Sequence, residues 1–364
     1  MSTTSLALAP EPKSPAAVAH EKFAREFKHK LHMDRDFRKS LARNMLLHTQ
    51  RVALNPNTVH ADRFLTQLSI GYVNDDMIGE KLLPIVNVAN RSDKFFKRDR
   101  RSTLNAPDDL SAPRARANEI EVTFSEDNYS VRDYHLQAYV DKMTEANADE
   151  AYMEIVDMTE ALTESLAIKT ELRYAALLGS AATYGSNTAA LTGVEWNEAV
   201  TPNNDPLPTI QSIIASRWTG GGRTRLIGAT TIEVLNALIN NTQIRSLFQY
   251  TTGGLATRQQ IAAYMGLDDL IVTSARYDAA NIGQAPSYQR IWPNVFIVAR
   301  VMAAPSRRTT GLGATFNWAP GSATTQWFDP EPGNIGGTYT KVSRSYDLKV
   351  IDPDSSYLLT GVIV

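Results

Sequence analysis

The 364-residue chain contains no cysteine. That absence removes disulfides, thiolate zinc sites, iron–sulfur clusters and cysteine nucleophiles together, and it fits synthesis in a reducing compartment. There is no run of about 18 apolar residues, so no helix is expected to span a bilayer and no membrane partner is expected. Met1 to Ala19 lacks a charged segment followed by an apolar one, and reads as a flexible Ser/Ala/Pro leader, not a signal peptide. A strong net charge is missing too: 37 basic against 39 acidic residues leave −2. This argues against a wholly basic nucleic-acid binder and makes any contact with a polyanion local.

Signs of catalytic chemistry are equally sparse. The six histidines are His20, His29, His32, His48, His60 and His135, five of them in the N-terminal arm or its connector. His29 and His32 share a helical face, but no acidic pair completes a zinc site and His-Glu-x-x-His is absent. Gly220-Gly221-Gly222-Arg223 lacks the Gly-x-x-x-x-Gly-Lys-Ser/Thr order of a phosphate loop and reads as a turn. Gly311-Leu312-Gly313 lacks the third glycine of a dinucleotide fingerprint. Asp75-Asp76, Asp108-Asp109 and Asp268-Asp269 are adjacent residues, which in a strand point to opposite faces, and they read as caps or turns. No Gly-x-Ser-x-Gly elbow is present. No catalytic residue, cofactor site or metal site is therefore expected, nor an enzyme.

What the chain does have is length and pattern. Hydrophobic residues at 43% and charged residues at 21% are globular values, and 364 residues hold more than one ordinary core. From Ala19 to Thr49, Phe23, Phe27, Leu31, Phe37, Leu41 and Met45 fall mostly on four-residue spacing among Lys and Arg, predicting a basic amphipathic helix. Leu83 to Val88 reads as a strand that leads into an extended basic segment, 86–139. Its return leg, Ile120, Val122 and Phe124, alternates with Glu119, Glu121 and Thr123, so the segment is expected to be a protruding hairpin. A lone hairpin is marginal in water and needs a surface to lie on.

A long acidic helix is expected over 147–178. Asn147 with Glu150 suits its start, Ile155, Met158, Leu162 and Leu166 an apolar stripe, and Gly179 its end. Its other faces carry Glu154, Asp157, Glu160, Glu164 and Glu171. Beyond a boundary at 201–206 the pattern alternates between helices and strands. Leu226 to Ala229, Leu270 to Val272 and Val295 to Val298 read as strands. Thr230 with Glu233, and Thr257 with Gln260, read as capping boxes. From Gly311 on, strand and turn character returns. A final apolar strand, Tyr357 to Val364, is expected to pair in a sheet, most simply beside the long helix, which makes the alternating domain an insertion into a second, discontinuous one.

In element order the chain resembles the major capsid proteins of tailed bacteriophages, with the Hong Kong 97-type shell fold. The resemblance rests on Ile70 to Pro84, on Met265 to Val272 and on Ser345 to Asp354, and in element order it covers residues 65–364. It implies an α+β fold of four parts. These are an N-terminal arm (1–64), an extended loop (86–139), a peripheral domain with a spine helix (65–85, 140–205 and 305–364), and an inserted axial domain (206–304). It also implies self-assembly into hexamers and pentamers of an icosahedral shell, with portal, scaffold and decoration proteins as partners and packaged double-stranded DNA on the inner face. Lys94, Lys97, Arg98, Arg100 and Arg101 on the loop are then candidate contacts for Glu154, Asp157, Glu160 and Glu164 on a neighbour's helix. Two alternatives stay open at this point: a bacterial nanocompartment shell, which shares the fold, and a DNA-binding or scaffold-like protein led by the basic N-terminal helix.

Overall fold

The computed structural model describes residues 60–61, 76–98, 106, 109–110, 124–147, 151–197, 204–217, 224–248, 256–281, 283–302 and 311–363. The basic helix expected over 19–49, the loop tip and the Gly220–Gly222 turn lie outside them.

The first strands are β1 (His60–Ala61), β2 (Ile85–Asn87), β3 (Ser92–Arg98), β4 (Phe124–Ser130) and β5 (Arg132–Asp141), with a short helix α1 (Gly79–Leu82) before β2. Helices α2 (Lys142–Asn147), α3 (Ala151–Leu178) and α4 (Ala181–Tyr184) and strand β6 (Thr188–Ala190) follow. Next come α5 (Pro206–Arg217), β7 (Thr224–Thr231), α6 (Ile232–Asn240), α7 (Thr242–Phe248), α8 (Arg258–Met265) and β8 (Asp269–Thr273). The rest of the chain is strand: β9 (Arg276–Asp278), β10 (Tyr288–Arg290), β11 (Phe296–Met302), β12 (Gly313–Asn317), β13 (Thr324–Asp329), β14 (Gly337–Val350) and β15 (Ser356–Thr360).

The chain divides into two units. The larger takes Ala61–Ala138, Asp157–Gln326 and Thr340–Val364. At its centre a five-stranded sheet runs β6-β15-β11-β7-β8. Every residue of β11 is buried, and its period-two geometry divides the side chains between two cores. Phe296 and Val298 enter one core, with Trp196, Leu226, Val234, Leu238, Ile261 and Leu359. Ile297, Ala299 and Val301 enter the other, with Ile227, Ala229, Leu358, Trp292 and, from α3, Tyr174 and Leu178. The sheet is thus a layer between α5, α6 and α8 on one side and the long helix on the other. That is why its strands read as unbroken apolar runs.

The C-terminal strand pairs in a sheet, as expected, and its Leu358 packs into the core that Tyr174 and Leu178 of the long helix share. What departs from expectation is the sheet it joins: β15 pairs antiparallel with β11, Phe296 opposite Leu359, and parallel with β6, within the sheet of the alternating segment. Two strands from outside 206–304 therefore complete the sheet of the alternating segment, because Leu358 and Leu359 fill both cores at once. The long helix begins at Ala151, and Asn147 closes α2 where the sequence had placed it at the start of the long helix. The capping box at Thr257 and Gln260 is formed. At Thr230 it is not: this hydroxyl donates to the Val295 carbonyl at 2.9 Å, and Glu233 pairs instead with Arg290 at 2.8 Å.

In the second sheet, β12 pairs antiparallel with β14, from Gly313 opposite Val350 to Asn317 opposite Tyr346, and parallel with β2. The smaller unit comprises Tyr139–Val156 and Trp327–Tyr339, together with the residues up to His60. Aromatic rings hold it together. Trp327 stacks on Tyr339 at 5.3 Å, Tyr139 packs on Tyr339 at 4.9 Å, and the Lys142 ammonium sits 5.6 Å from the Phe328 ring centroid.

Candidate assembly surfaces

The first surface is the hairpin of β3 and β4, paired antiparallel from Ser92 opposite Ser130 to Arg98 opposite Phe124. Its root is built on β12. Tyr129 stacks on Phe316 with centroids 4.6 Å apart, and Phe95 packs on the same ring at 5.3 Å. Polar contacts fix the angle. The Ser130 amide donates to Asp347 at 2.9 Å, Trp318 Nε1 to the Ala89 carbonyl at 3.1 Å, and the Tyr129 hydroxyl to the Asn90 carbonyl at 3.2 Å. Arg91 pairs with Asp133 and lies over the Trp318 ring. Ser345 donates to Asp133 at 2.6 Å, and this bond, with the Arg91 charge, holds the Asp133 carboxyl below the usual range.

Strand alternation turns Phe95 and Tyr129 to the root and leaves Lys94 and Phe96 on the opposite face. Both are exposed, and the Lys94 ammonium meets Glu126 across the ladder at 2.9 Å. That pair reveals what the basic appearance of the outgoing leg hid. Residues 91–101 carry six basic residues against two acids, but 119–133 carry five acids against one base. Antiparallel pairing of 92–98 with 124–130 lays the two legs side by side, and Lys94 with Glu126 joins opposite charges across them. Lys97 and Arg98 occupy β3 opposite Ser125 and Phe124; Arg100 and Arg101 lie outside the described residues.

The second surface is the long helix, 28 residues and so about 42 Å. Its buried edge runs through Val156, Thr159, Thr163, Leu166, Thr170, Tyr174 and Leu178, one strip around from the expected stripe, where Ile155, Met158 and Leu162 are half-buried. Threonines are tolerated there because Thr163 and Thr170 each donate to the carbonyl four residues earlier at 2.7 Å. Asp157, Glu160 and Glu164 are exposed, and none enters an ion pair among the described residues. Glu154 lies in the first turn of the helix. Among the described residues no ion pair joins Asp157, Glu160 or Glu164 to the hairpin.

Glu171 is a correction. Counted among the helix's outward acids, it is 2% exposed. Its Oε1 accepts from the Ile78 and Gly79 amides at 2.9 and 3.0 Å and from Trp292 Nε1 at 2.6 Å. A carboxylate from the long helix thus satisfies the first amides of α1, just before the chain turns into β2 and the hairpin. Burial pushes its pKa above the ordinary carboxylate value, against the lowering effect of these donors. The sequence did hold a signal, since Glu171 shares a helical face with Tyr174, Ala175 and Leu178 at steps of three, four and seven.

Other chemistry is thin on the ground. Among the described residues no group of three or more His, Cys, Asp or Glu side chains could hold a metal, and no helix is long and apolar enough to cross a membrane.

No protein-family model matches the chain. It is 27% identical over 311 residues to the major capsid protein of Pseudomonas phage JBD67, spanning 83% of this chain and 97% of that protein. Its structure is similar to that of a phage-related protein of Bordetella bronchiseptica, with a TM-score of 0.66 at 18% identity, over 84% of this chain and 98% of the other. The capsid of cyanophage P-SCSP1u matches with a TM-score of 0.50 at 13% identity, over 80% and 89% of the two chains. The fold is that of the Hong Kong 97-type capsid shell, and with the sequence relationship it supports a phage major capsid protein, a structural protein of a capsid shell.

Proposed function

We propose that the chain assembles as hexamers and pentamers into an icosahedral shell around packaged double-stranded DNA, in the host cytoplasm, with portal, scaffold and decoration proteins as further partners. One observation carries the reading. A rooted hairpin and an acidic helix face are both exposed in a chain related to a major capsid protein, and each is a surface that a second copy can cover. Lys97, Arg98, Arg100 and Arg101 on the hairpin, with Lys94, are the proposed basic contacts; Glu154, Asp157, Glu160 and Glu164 are their acidic partners on the neighbour. Exposed ion pairs each contribute under about 1 kcal/mol. Repetition around a closed shell multiplies them and sets register.

The test is a charge exchange. Lys97→Glu with Arg98→Glu is expected to abolish particles on gradient sedimentation, and adding Asp157→Lys with Glu160→Lys to restore them. Normal particles from the unrescued variant would overturn the pairing.

A further inference from the structure

We propose that the short ribbon of β9 and β10 pairs with the same ribbon of a second copy across a two-fold axis, β10 against β10 and antiparallel, centred on Gln289. The proposal takes from the shell reading above that copies associate, and it adds a contact away from the first hairpin and the long helix.

The ribbon is held firmly by its own subunit. Asp278 Oδ1 accepts from the amides of Ala280 and Ser287, both at 2.9 Å, which fixes the loop where it leaves β9 and where it returns to β10. Glu233, in the first turn of α6, pairs with Arg290 at 2.8 Å and lies 3.9 Å from Arg276. Tyr277 packs on the core that Tyr174 and Leu178 share. A ribbon already ordered in this way loses little entropy when a partner docks.

Its outer edge is open. Ala279 donates to the Ser287 carbonyl at 2.9 Å, and Ile291 to the Ala275 carbonyl at 3.1 Å. With Gln289 opposite Tyr277, these bonds fix the parity of the ladder. Ser287, Gln289 and Ile291 turn their backbone groups to β9, and Tyr288 and Arg290 turn theirs away. Among the described residues no other strand lies beside β10, and no backbone hydrogen bond takes up the outward groups. Every residue of β10 is exposed, Tyr288 at 71%. An unpaired edge of this kind is a template for another strand.

The edge is also complementary to itself. An antiparallel pair centred on Gln289 sets Tyr288 opposite Arg290 of the partner subunit, and Arg290 opposite Tyr288 of the partner subunit. These are the residues with outward backbone groups, so each opposed pair exchanges both of its hydrogen bonds. A shift by one residue would set outward groups against inward ones. Directly opposite residues share a face, which lays each guanidinium against a tyrosine ring, an attractive pairing. Arg290 is held along the edge of its guanidinium, by Glu233 at Nε and by Asn294 at 3.1 Å, and its flat face is left for the ring. The contact is isologous, as a two-fold axis requires, and though short it is repeated throughout a closed shell.

Gln289 supplies the test. It meets its symmetry mate as a non-hydrogen-bonded pair, with Cα atoms about 4.5 Å apart, within reach of a disulfide. The chain has no cysteine of its own. Mild oxidation of particles assembled from Gln289→Cys should therefore convert subunits to covalent dimers on non-reducing gels. Tyr288→Cys is the control: its two copies lie diagonally, about 7–8 Å apart, and should stay monomeric. Particles of Gln289→Cys that give no dimer would overturn the ribbon contact and leave the shell reading standing. Covalent dimers without particles would uphold the contact and overturn the shell. Should Gln289→Cys itself fail to assemble, Tyr288→Pro decides the matter, since it removes an outward donor and leaves the ladder to β9 intact. It is expected to leave the urea midpoint of the subunit unchanged and to raise the protein concentration that particles require by about tenfold, the scale of a symmetric pair of hydrogen bonds lost. An unchanged requirement would refute the contact.

Discussion

Glu171→Ala is expected to lower the stability of the subunit by about 3–5 kcal/mol, since it strands several buried donors at once. The amides of Ile78 and Gly79 and the Trp292 indole all aim at one carboxylate oxygen, and no water can reach a group that is 2% exposed to replace it. Glu171→Gln keeps that accepting oxygen and removes the charge, so its cost should be much smaller. The two variants also differ in pH dependence. Burial raises the folded pKa of Glu171 above the value of 4.5 it takes when unfolded. The folded subunit then binds the proton more tightly than the unfolded chain does. Its contribution to stability is fully present below pH 4.5 and is lost as pH rises through the folded pKa. Urea unfolding of dissociated subunits, followed by tryptophan fluorescence, should show the wild type losing ground to Glu171→Gln as pH rises above 4.5. A pH-independent gap between the two, or an alanine variant as stable as the glutamine one, would contradict this role.

Gly79→Ala should be nearly as damaging, through sterics where Glu171→Ala acts through lost hydrogen bonds. A methyl group at position 79 would overlap the Tyr174 ring, with Tyr174 Cβ only 2.7 Å away. Tyr174 cannot swing aside: it is fully buried, and its hydroxyl bonds Thr315 at 2.7 Å, which in turn donates to the Leu83 carbonyl at 3.0 Å. Overpacking of this kind costs about 1–3 kcal/mol or more. Here it also pulls the Gly79 amide away from Glu171. The expected result is a lower urea midpoint and a sharp fall in soluble yield. A Gly79→Ala subunit as stable as the wild type would show that α1 does not sit so tightly on the long helix.

Much of this was legible in the sequence, for identifiable reasons. Period-two alternation and unbroken apolar runs mark strands such as β11 because burial of both faces leaves no polar positions. Thr257 and Gln260 announced α8 because the reciprocal cap is local. The long helix announced itself by length. What escaped was non-local. That Ser356–Thr360 joins the sheet of the alternating segment, beside β11, depends on which cores Leu358 and Leu359 can fill, and nothing adjacent in the chain says so. Thr230 is a plausible cap until the Val295 carbonyl, 65 residues on, claims its hydroxyl. Glu171 looked like one more acid on a solvated face because its three donors come from positions 78, 79 and 292. The outgoing leg of the hairpin looked basic because the acids that neutralise it lie on the return leg, as Lys94 and Glu126 show.

The central claim is that copies of this chain close a shell through the hairpin and the long helix. Electron microscopy of the purified chain, across a range of salt concentrations, tests it most directly. Closed icosahedral particles or capsomer rings are expected, weakening as salt screens the rim charges. A strict monomer at every salt concentration would contradict the account.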